Sequence, residues 1–80
     1  MYTVYALYSK EFDKIYIGFT SNMETRFYSH NVAATKGYTV KYRPWIILYT
    51  EETENKAVAM KREKELKSSK GRLFIRSLIH

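Results

Sequence analysis

Residues 2–20 read YTVYALYSKEFDKIYIGFT, and this pattern predicts a β-hairpin. The first part, residues 2–9, is rich in Tyr and Val and contains no helix signal, which is typical of a strand. Lys10–Asp13 predicts a tight turn, and Lys14–Thr20 predicts a second strand of the same character. The first twenty residues therefore predict a strand pair, and the rest of the chain is interpreted around it.

The expected register of this hairpin places two tyrosines side by side. A four-residue turn sets Leu7 opposite Tyr16 and Tyr5 opposite Gly18, so Tyr5 and Tyr16 become diagonal neighbours on one sheet face. Because Gly18 has no side chain, we expect space beside Tyr5 that a ligand or another backbone can enter. Aromatic pairs of this kind also serve as packing, so the pair alone leaves both roles open.

The residues after the hairpin predict a helix from about Asn22 to Asn31. Ser21 and Glu24 have the spacing of a capping box, in which a Ser cap is followed three residues later by Glu. Met23 and Phe27 are four residues apart and are expected on the buried side of this helix.

Arg26 and His30 are also four residues apart in the predicted helix, so they are expected on one side of it. That side neighbours the buried one, which places Arg26 and His30 at the edge of the core. From there they can reach over the sheet, although an Arg/His pair on a helix is most often solvated surface.

The second half of the chain predicts one more strand and two helices. Residues 32–43 have no clear period and are interpreted as a loop, and the apolar run Trp45–Tyr49 predicts a strand buried on both faces. Helices are predicted over about Lys56–Ser68 and Arg72–Ile79, with a break at Ser68–Gly71. Three side chains of the last helix are expected to face inward: Leu73, Phe74 and Leu78.

The element order β-β-α-β-α-α predicts an α/β (α+β) fold, a small three-stranded, largely antiparallel sheet flanked by helices. A chain of 80 residues and 9.6 kDa allows one domain, residues 1–80, and not two. Eight Tyr, four Phe and one Trp exclude a chain that stays disordered.

The composition excludes several classes of protein. There is no Cys, so disulfides, zinc ribbons and cysteine nucleophiles are excluded, and two histidines, His30 and His80, cannot form a His-rich metal site. The longest apolar stretch, Trp45–Tyr49, is far shorter than a membrane span, and the N-terminus lacks the pattern of a signal peptide. We therefore expect a cytoplasmic protein with no membrane partner.

The net charge of +6 lies in the last third of the chain. Residues 1–55 hold six basic and six acidic residues, whereas residues 56–80 hold eight basic and two acidic residues. A basic patch at one end of a small domain is typical of a nucleic-acid binder. A solvated helix face that keeps the protein soluble has the same composition, so charge alone leaves both interpretations open.

Glu63 interrupts the apolar stripe of the predicted helix 56–68. On a helical wheel it lies in the middle of an apolar arc, whereas Glu65 points to the opposite side, where Lys61 can pair with it. The arc consists of Ala59, Met60 and Leu66. A carboxylate that faces a core needs a compensating cation, and the wheel allows either a salt bridge or a bound metal ion.

Five positions along the chain have a combined spacing that their separate interpretations do not explain. They are Thr3-Val4-Tyr5, Tyr16-Ile17-Gly18, Arg26, His30 and Glu63. This arrangement resembles the GIY-YIG endonuclease family over essentially the whole chain. Tyr16-Ile17-Gly18 is an intact second signature triplet, and the eleven-residue step from Tyr5 to Tyr16 is similar to the family's step between its motif tyrosines. In the first triplet Thr3 replaces the family's glycine, while Tyr5 is kept.

Two further segments carry the resemblance. Glu63 lies in AMKREKELK, residues 59–67, which is similar to the helix with the family's metal-binding glutamate. Tyr42-Arg43-Pro44-Trp45, followed by Leu48-Tyr49 and Glu51, is similar to the short single-domain bacterial branch.

The resemblance implies hydrolysis of DNA phosphodiester bonds at a single Mg²⁺ or Mn²⁺ site. It implies Glu63 as the metal ligand, with waters and a substrate phosphate completing the coordination. Tyr5 is implied as the general base or the group that positions water, with a nearby cation favouring its anion, and Tyr16 as a partner of water or phosphate. Arg26 would bind the developing phosphate charge, and His30 would position the phosphate or relay a proton.

Basic residues of the last third are expected to bind the DNA backbone with little sequence specificity. They are Lys61, Lys64, Lys67, Lys70 and Arg72. The alternative is a catalytically inactive nucleic-acid-binding module, in which Glu63 is a salt-bridge partner and the Tyr pair is packing. A protein-interaction domain with exposed tyrosines is a third hypothesis. The sequence leaves the structure of the substrate and the oligomeric state open.

Overall fold

A computed structural model describes residues 1–79 of the chain. The strands are β1 (Tyr2–Ser9), β2 (Lys14–Thr20) and β3 (Ile46–Thr53). The α-helices are α1 (Met23–Tyr28), α2 (Tyr38–Lys41), α3 (Lys56–Lys67) and α4 (Ser69–Ser77), and a π-helical segment, Ser29–Ala33, continues α1.

The hairpin forms with the predicted register. Strands β1 and β2 are antiparallel, with Tyr5 opposite Gly18 and Leu7 opposite Tyr16, and Asp13 in the turn has a positive φ of 52°. Strand β3 pairs antiparallel with the other side of β1, so the sheet order is β2-β1-β3. The predicted three-stranded antiparallel sheet with flanking helices is therefore confirmed, with β1 at its centre.

The alternating side chains of β1 divide the core between two helical layers. Val4 and Ala6 pack in a cluster with residues of α3 and α4, among them Ala59, Leu66 and Ile75. Tyr5 and Leu7 point to the other face of the sheet. There they pack with Trp45 and with partly buried side chains of β2, α1 and α2's C-cap: Tyr16, Met23, Phe27 and Tyr42.

The prediction that Trp45–Tyr49 is a strand buried on both faces is wrong. Strand β3 begins at Ile46 and lies at an edge of the sheet, and Ile46 and Ile47 are 53% and 43% exposed. Trp45 is buried but precedes the strand. A register shift sets Ile47 opposite Leu7 and Tyr49 opposite Ala6, so Leu48 is an extra residue in β3. An apolar run does not show whether a strand lies at the centre or at the edge of a sheet. Here, within the described part of the chain, β3 pairs with β1 on one side only.

The first helix begins within one residue of its predicted start, but its cap and its end differ from the prediction. Its N-cap is Asn22, whose Oδ1 accepts from the Thr25 N–H at 3.1 Å, so the predicted capping box of Ser21 and Glu24 is wrong. The Asn22 N–H donates in turn to Thr20 Oγ1 at 3.1 Å. The cap is therefore Asn22, one residue after the predicted Ser21. The segment 32–43, expected to be a loop, contains the end of the π-helical segment and helix α2.

Helix α4 begins at Ser69, three residues before its predicted start, because Ser68 Oγ caps it by accepting from the Gly71 N–H. Two of the three residues expected to face inward do not: Leu73 is 71% exposed and Phe74 is 42% exposed, whereas Ile75 is fully buried. Leu78, the third, is partly buried against the core as expected. A Cβ at Gly71 would collide with the backbone of the C-terminal turn of α3, so Gly71 and Ile75, four residues apart, form the contact face.

None of the helices within residues 1–79 is both long and apolar enough to cross a membrane.

Candidate active site

The centre of the candidate site is a hydrogen bond between Tyr5 and His30. Tyr5 Oη lies 2.9 Å from His30 Nε2, and both residues are buried, at 2% and 7% exposure. Strand β1 supplies Tyr5 at the middle of the sheet, and the π-helical segment lays His30 over it. The sequence predicted these two side chains near the same face, and the structure joins them directly.

The position of His30 corrects the sequence prediction. Arg26 is exposed on α1, whereas His30 is buried, so the two do not stand together at the edge of the core. The cause is the switch from α-helix to π-helix at Ser29, because a wider turn changes the angle between residues four apart. His30 therefore belongs to the floor of the site and Arg26 to its solvent side.

A third residue orients the imidazole ring. His30 Nδ1 lies 3.0 Å from Thr39 Oγ1, and Thr39 is buried at the start of α2. In the tautomer that carries its proton on Nδ1, His30 donates to Thr39 and leaves Nε2 to accept from the Tyr5 hydroxyl. Burial, with the charges of Arg26 and Arg43, holds the pKa of His30 below its ordinary value of 6.5, so the ring is neutral at pH 7.

Tyr16 packs against both members of this pair. Its ring centroid is 4.8 Å from that of His30 and 6.3 Å from that of Tyr5, with which it stacks at 29°. The space beside Gly18 is not free, because a Cβ there would lie 2.6 Å from Tyr5 Oη. The expectation of an entry for a ligand at Gly18 is therefore wrong: the missing side chain makes room for the Tyr5 phenol itself.

Burial raises the pKa of Tyr5 well above its ordinary value of 10. Tyr16 and Glu63 raise this pKa further, whereas the positive charge of Arg26 lowers it. Tyr5 is thus a neutral phenol that needs a proton acceptor, and His30 Nε2 is the acceptor in contact with it.

Glu63 has a partly buried position on α3. Its side chain is 20% exposed, between the buried Ala59 and Leu66. The helical wheel was wrong about Met60, which is 41% exposed. Lys67 lies 3.6 Å from a Glu63 carboxylate oxygen, a pair four residues apart.

Arg62 joins α3 to the edge strand β3. Its Nε donates to both carboxylate oxygens of Glu51, at 2.9 and 3.0 Å, and Glu51 also accepts from Tyr49 Oη at 2.6 Å. Arg62 lies 3.6 Å from Glu65 as well, which corrects the expected pairing of Glu65 with Lys61. These contacts fix the rotation of the helix that carries Glu63.

The sequence interpretation missed the residues that hold the π-helical segment in place. Arg43 donates to the carbonyl groups of Ser29, His30 and Ala34 at 3.1, 2.6 and 2.7 Å. Asn31 donates to the Trp45 carbonyl at 3.0 Å and accepts from the Trp45 N–H at 2.7 Å. Arg43 and Trp45 lay in a segment noted for its resemblance to the bacterial branch, but nothing local in the sequence indicates these partners.

The five basic residues expected to bind nucleic acid are all exposed, on α3 from its middle onward and on the first turn of α4. They are Lys61, Lys64, Lys67, Lys70 and Arg72. They belong to the helical layer that packs on the Val4 and Ala6 face of the sheet, whereas the Tyr5–His30 pair is on the other face. Within residues 1–79, no three His, Asp or Glu side chains are grouped to hold a metal ion.

The chain matches the family model described as the GIY-YIG catalytic domain over residues 1–75. It is 37% identical over 65 residues to a UPF0213 protein of Staphylococcus haemolyticus, covering 81% of this chain and 78% of that protein. A UPF0213 protein of Limosilactobacillus reuteri is 39% identical over 64 residues, covering 78% of this chain and 66% of the relative.

The fold is similar to the solution NMR structure of a UPF0213 protein from Bacillus halodurans. The TM-score is 0.56 at 27% sequence identity, and the match covers 99% of this chain and 86% of that one. The similarity therefore extends over the sheet and both helical layers.

Proposed function

Because this chain belongs to the GIY-YIG family, a family of nuclease type, we propose that it is a divalent-metal-dependent endonuclease that hydrolyses DNA phosphodiester bonds. One observation carries the proposal: the Tyr5 hydroxyl is hydrogen-bonded to neutral His30, and Arg26 lowers while Glu63 raises the pKa of this phenol. A buried phenol in contact with a proton acceptor, with a cation and a carboxylate that act on its pKa, is a chemically competent set for phosphate hydrolysis.

Glu63 is the residue proposed to hold the divalent cation. Its carboxylate is partly exposed and its ion pair with Lys67 is long, at 3.6 Å, so its oxygens are accessible. A hard oxygen ligand suits Mg²⁺ or Mn²⁺, and Mg²⁺ usually retains several waters and uses substrate phosphates as further ligands. When bound, the cation would neutralise charge that develops on the phosphate. A single protein ligand fits an ion that is completed by substrate.

The protein's own groups have separable roles in this proposal. His30 Nε2 accepts the proton of Tyr5, and the phenol oxygen then takes a proton from the attacking water. The water oxygen bonds to phosphorus while the bond from phosphorus to the leaving oxygen breaks, and the leaving oxygen takes a proton from solvent. Arg26, on the solvent side, binds the phosphate oxygens with a planar guanidinium. Tyr16 packs on the phenol and the imidazole and holds both in place.

The second candidate is a nucleic-acid-binding module without catalytic activity. The observation that favours it is the Glu63–Lys67 pair, since this contact is the salt bridge that a purely structural Glu63 requires. In this case the exposed lysines of α3 and α4 would bind phosphates, and the Tyr5–His30 contact would be packing.

The test is the variant Glu63→Gln, with Glu65→Gln as the matched control on the exposed side of the same helix. Removing an ion pair three or four residues apart on a helix costs about 0.2–0.5 kcal/mol, so both variants should melt within a few degrees of the wild type. Cleavage of plasmid, single-stranded and branched DNA is measured with Mg²⁺ or Mn²⁺ and then with EDTA. We expect Glu63→Gln to abolish metal-dependent cleavage and Glu65→Gln to retain it.

Two outcomes would contradict the proposal, the first its cleavage activity and the second the role of Glu63. One is wild-type protein that binds DNA but cleaves no substrate under either cation, which leaves the non-catalytic module. The other is a Glu63→Gln variant as active as Glu65→Gln, which removes the metal-ligand role of Glu63.

A further inference from the structure

A row of aromatic rings leads from the candidate site to the turn between β1 and β2. Tyr38 lies 6.3 Å from Tyr16, stacked at 28°, and 4.8 Å from Tyr42, and Tyr42 lies 5.5 Å from Phe12. All distances join ring centroids. We call these four residues the aromatic row: Tyr16, Tyr38, Tyr42 and Phe12.

The outer part of the row faces solvent. Tyr38 and Phe12 are each 46% exposed, whereas Tyr16 and Tyr42 are partly buried. Beneath them Trp45 is buried, with its indole N–H donated to the Thr39 carbonyl at 2.7 Å and its ring 6.3 Å from that of Tyr38. The row is therefore a supported surface whose outer rings remain available to a flat ligand.

The segments that carry the row are rich in lysine. Lys14 Nζ lies 5.5 Å from the centre of the Tyr42 ring. The segments that carry the row also contain three more exposed lysines: Lys10, Lys36 and Lys41. Their acidic residues are Glu11 and Asp13, and Asp13 is bound to Arg76 at 2.8 Å. The surroundings of the aromatic row thus favour an anionic ligand.

We propose that the aromatic row stacks unpaired bases of the nucleic-acid strand whose phosphate enters the Tyr5–His30 site. Bases in single-stranded nucleic acid expose both faces, whereas a continuous duplex hides them inside its stack. Aromatic rings beside lysines match such a strand, because the rings stack on bases and the ammonium groups bind phosphates. The inference rests on the proposed nuclease function and names its substrate class: DNA with an unpaired segment at the cleavage point.

Binding is the first readout, because it is independent of cleavage. Fluorescence anisotropy in EDTA compares a labelled oligothymidine, a fully paired duplex and a duplex with a single-stranded flap. We expect wild type to bind the two unpaired substrates more tightly than the duplex. Tyr38→Ala should weaken binding of the unpaired substrates by about 5- to 150-fold and that of the duplex by much less. Tyr38→Phe should bind like the wild type.

Tyr28→Ala is the matched control, since Tyr28 is 59% exposed on α1 and lies outside the aromatic row. It should leave the preference for unpaired strands unchanged. Phe12→Ala, in the β1–β2 turn, tests the row a second time if Tyr38→Ala does not fold. Like Tyr38→Ala, it should lower the affinity for the unpaired substrates.

The outcomes separate this inference from the proposed function. If unpaired strands bind in a Tyr38-dependent way but no cation supports cleavage, the stacking role of the aromatic row is supported and the proposed nuclease activity is contradicted. If DNA is cleaved while Tyr38→Ala and Phe12→Ala leave the preference for unpaired strands unchanged, the nuclease activity is supported and the stacking role of the aromatic row is contradicted. Tighter binding of duplex by wild type, or a Tyr38-dependent change in oligomeric state without an effect on DNA, also overturns the row.

Discussion

At the scale of single residues, one contact changes how the chemistry is understood. The expectation for Tyr5 was that a nearby cation favours its anion. Burial raises the pKa of this phenol, so its ionisation also needs the proton acceptor bound to it, His30. Thr39 and Arg43 act through His30, the first on its ring and the second on its backbone carbonyl. In the proposed function the unit of proton transfer is therefore the Tyr5–His30 pair.

The lowered pKa of His30 makes stability depend on pH in a defined window. In the folded protein His30 holds its proton less tightly than in the unfolded chain, so unfolding takes up a proton below about pH 6.5. The contribution of His30 to the free energy of unfolding should therefore be complete above pH 6.5. The free energy of unfolding should decrease as the pH is lowered through that value. Urea unfolding between pH 5 and 8 measures this slope.

The variant His30→Gln should lose the slope between pH 5 and 7, because it has no titrating group at this position. His80→Gln, which removes the only other histidine of the sequence, is the control and should keep it. Parallel curves for the wild type and His30→Gln would show that His30 does not titrate in this window. Cleavage, if His30 accepts the proton of Tyr5, should fall over the same range of pH.

At the scale of elements, the π-helical segment Ser29–Ala33 decides the site. It places His30 inward, over Tyr5, where a continuous α-helix of the predicted extent was expected to keep it beside Arg26. A wide helical turn leaves carbonyl groups that need donors, and the Arg43 guanidinium supplies donors to three of them. The segment is thus stabilised by a residue from the loop before β3.

Arg43→Met should lower the free energy of unfolding by about 1–3 kcal/mol, because it leaves partly buried carbonyl groups without their donors. For a domain of this size the melting temperature should fall by several degrees. Thermal unfolding followed by circular dichroism measures the change. Since Arg43 also lowers the pKa of His30, NMR titration of the variant should show that pKa nearer to 6.5.

Arg72→Met is the control for this change. Arg72 is exposed and makes one hydrogen bond, to the Lys67 carbonyl at 3.2 Å, so its removal should alter the melting temperature little. If the melting temperature of Arg43→Met equals that of Arg72→Met and of the wild type, Arg43 does not stabilise the π-helical segment.

At the scale of the whole molecule, the charge is distributed over two surfaces. The exposed lysines and Arg72 of α3 and α4 lie in the helical layer on one face of the sheet. Lys14, beside Tyr42 of the aromatic row, lies near residues of the other face. DNA bound at the Tyr5–His30 site would contact the aromatic row. The exposed lysines and Arg72 of α3 and α4, here called the α3–α4 patch, would add affinity for the DNA backbone that is independent of sequence.

Binding of DNA should therefore weaken steeply with salt. For each phosphate contact, the logarithm of the affinity should fall with the logarithm of the salt concentration with a slope of about −0.9 on duplex DNA. Lys64→Gln and Lys70→Gln should each reduce the magnitude of the slope by about 1, measured by anisotropy titrations between 50 and 200 mM salt.

Arg76→Gln is the control for the salt dependence, because the Arg76 guanidinium already pairs with Asp13 at 2.8 Å. It should leave the slope nearly unchanged. A wild-type affinity that is constant across this range of salt would contradict the role of the α3–α4 patch.

The sequence by itself determined the hairpin, its register, the fold class and the family. These follow from local rules: a four-residue turn sets Tyr5 opposite Gly18, and the spacing of the signature residues is a property of the chain. It also indicated Glu63 as a carboxylate between buried residues, since helical periodicity is local.

Only the tertiary structure decided which side chains meet. The burial of His30 depends on Arg43 and Thr39, which are 13 and 9 residues further along the chain. The edge position of β3 and the inward position of Ile75 depend on which elements pack beside them, as at Gly71 against the end of α3. Hydrogen bonds and packing between distant segments have no period or turn signal in the sequence, so these features form only when the layers assemble around β1.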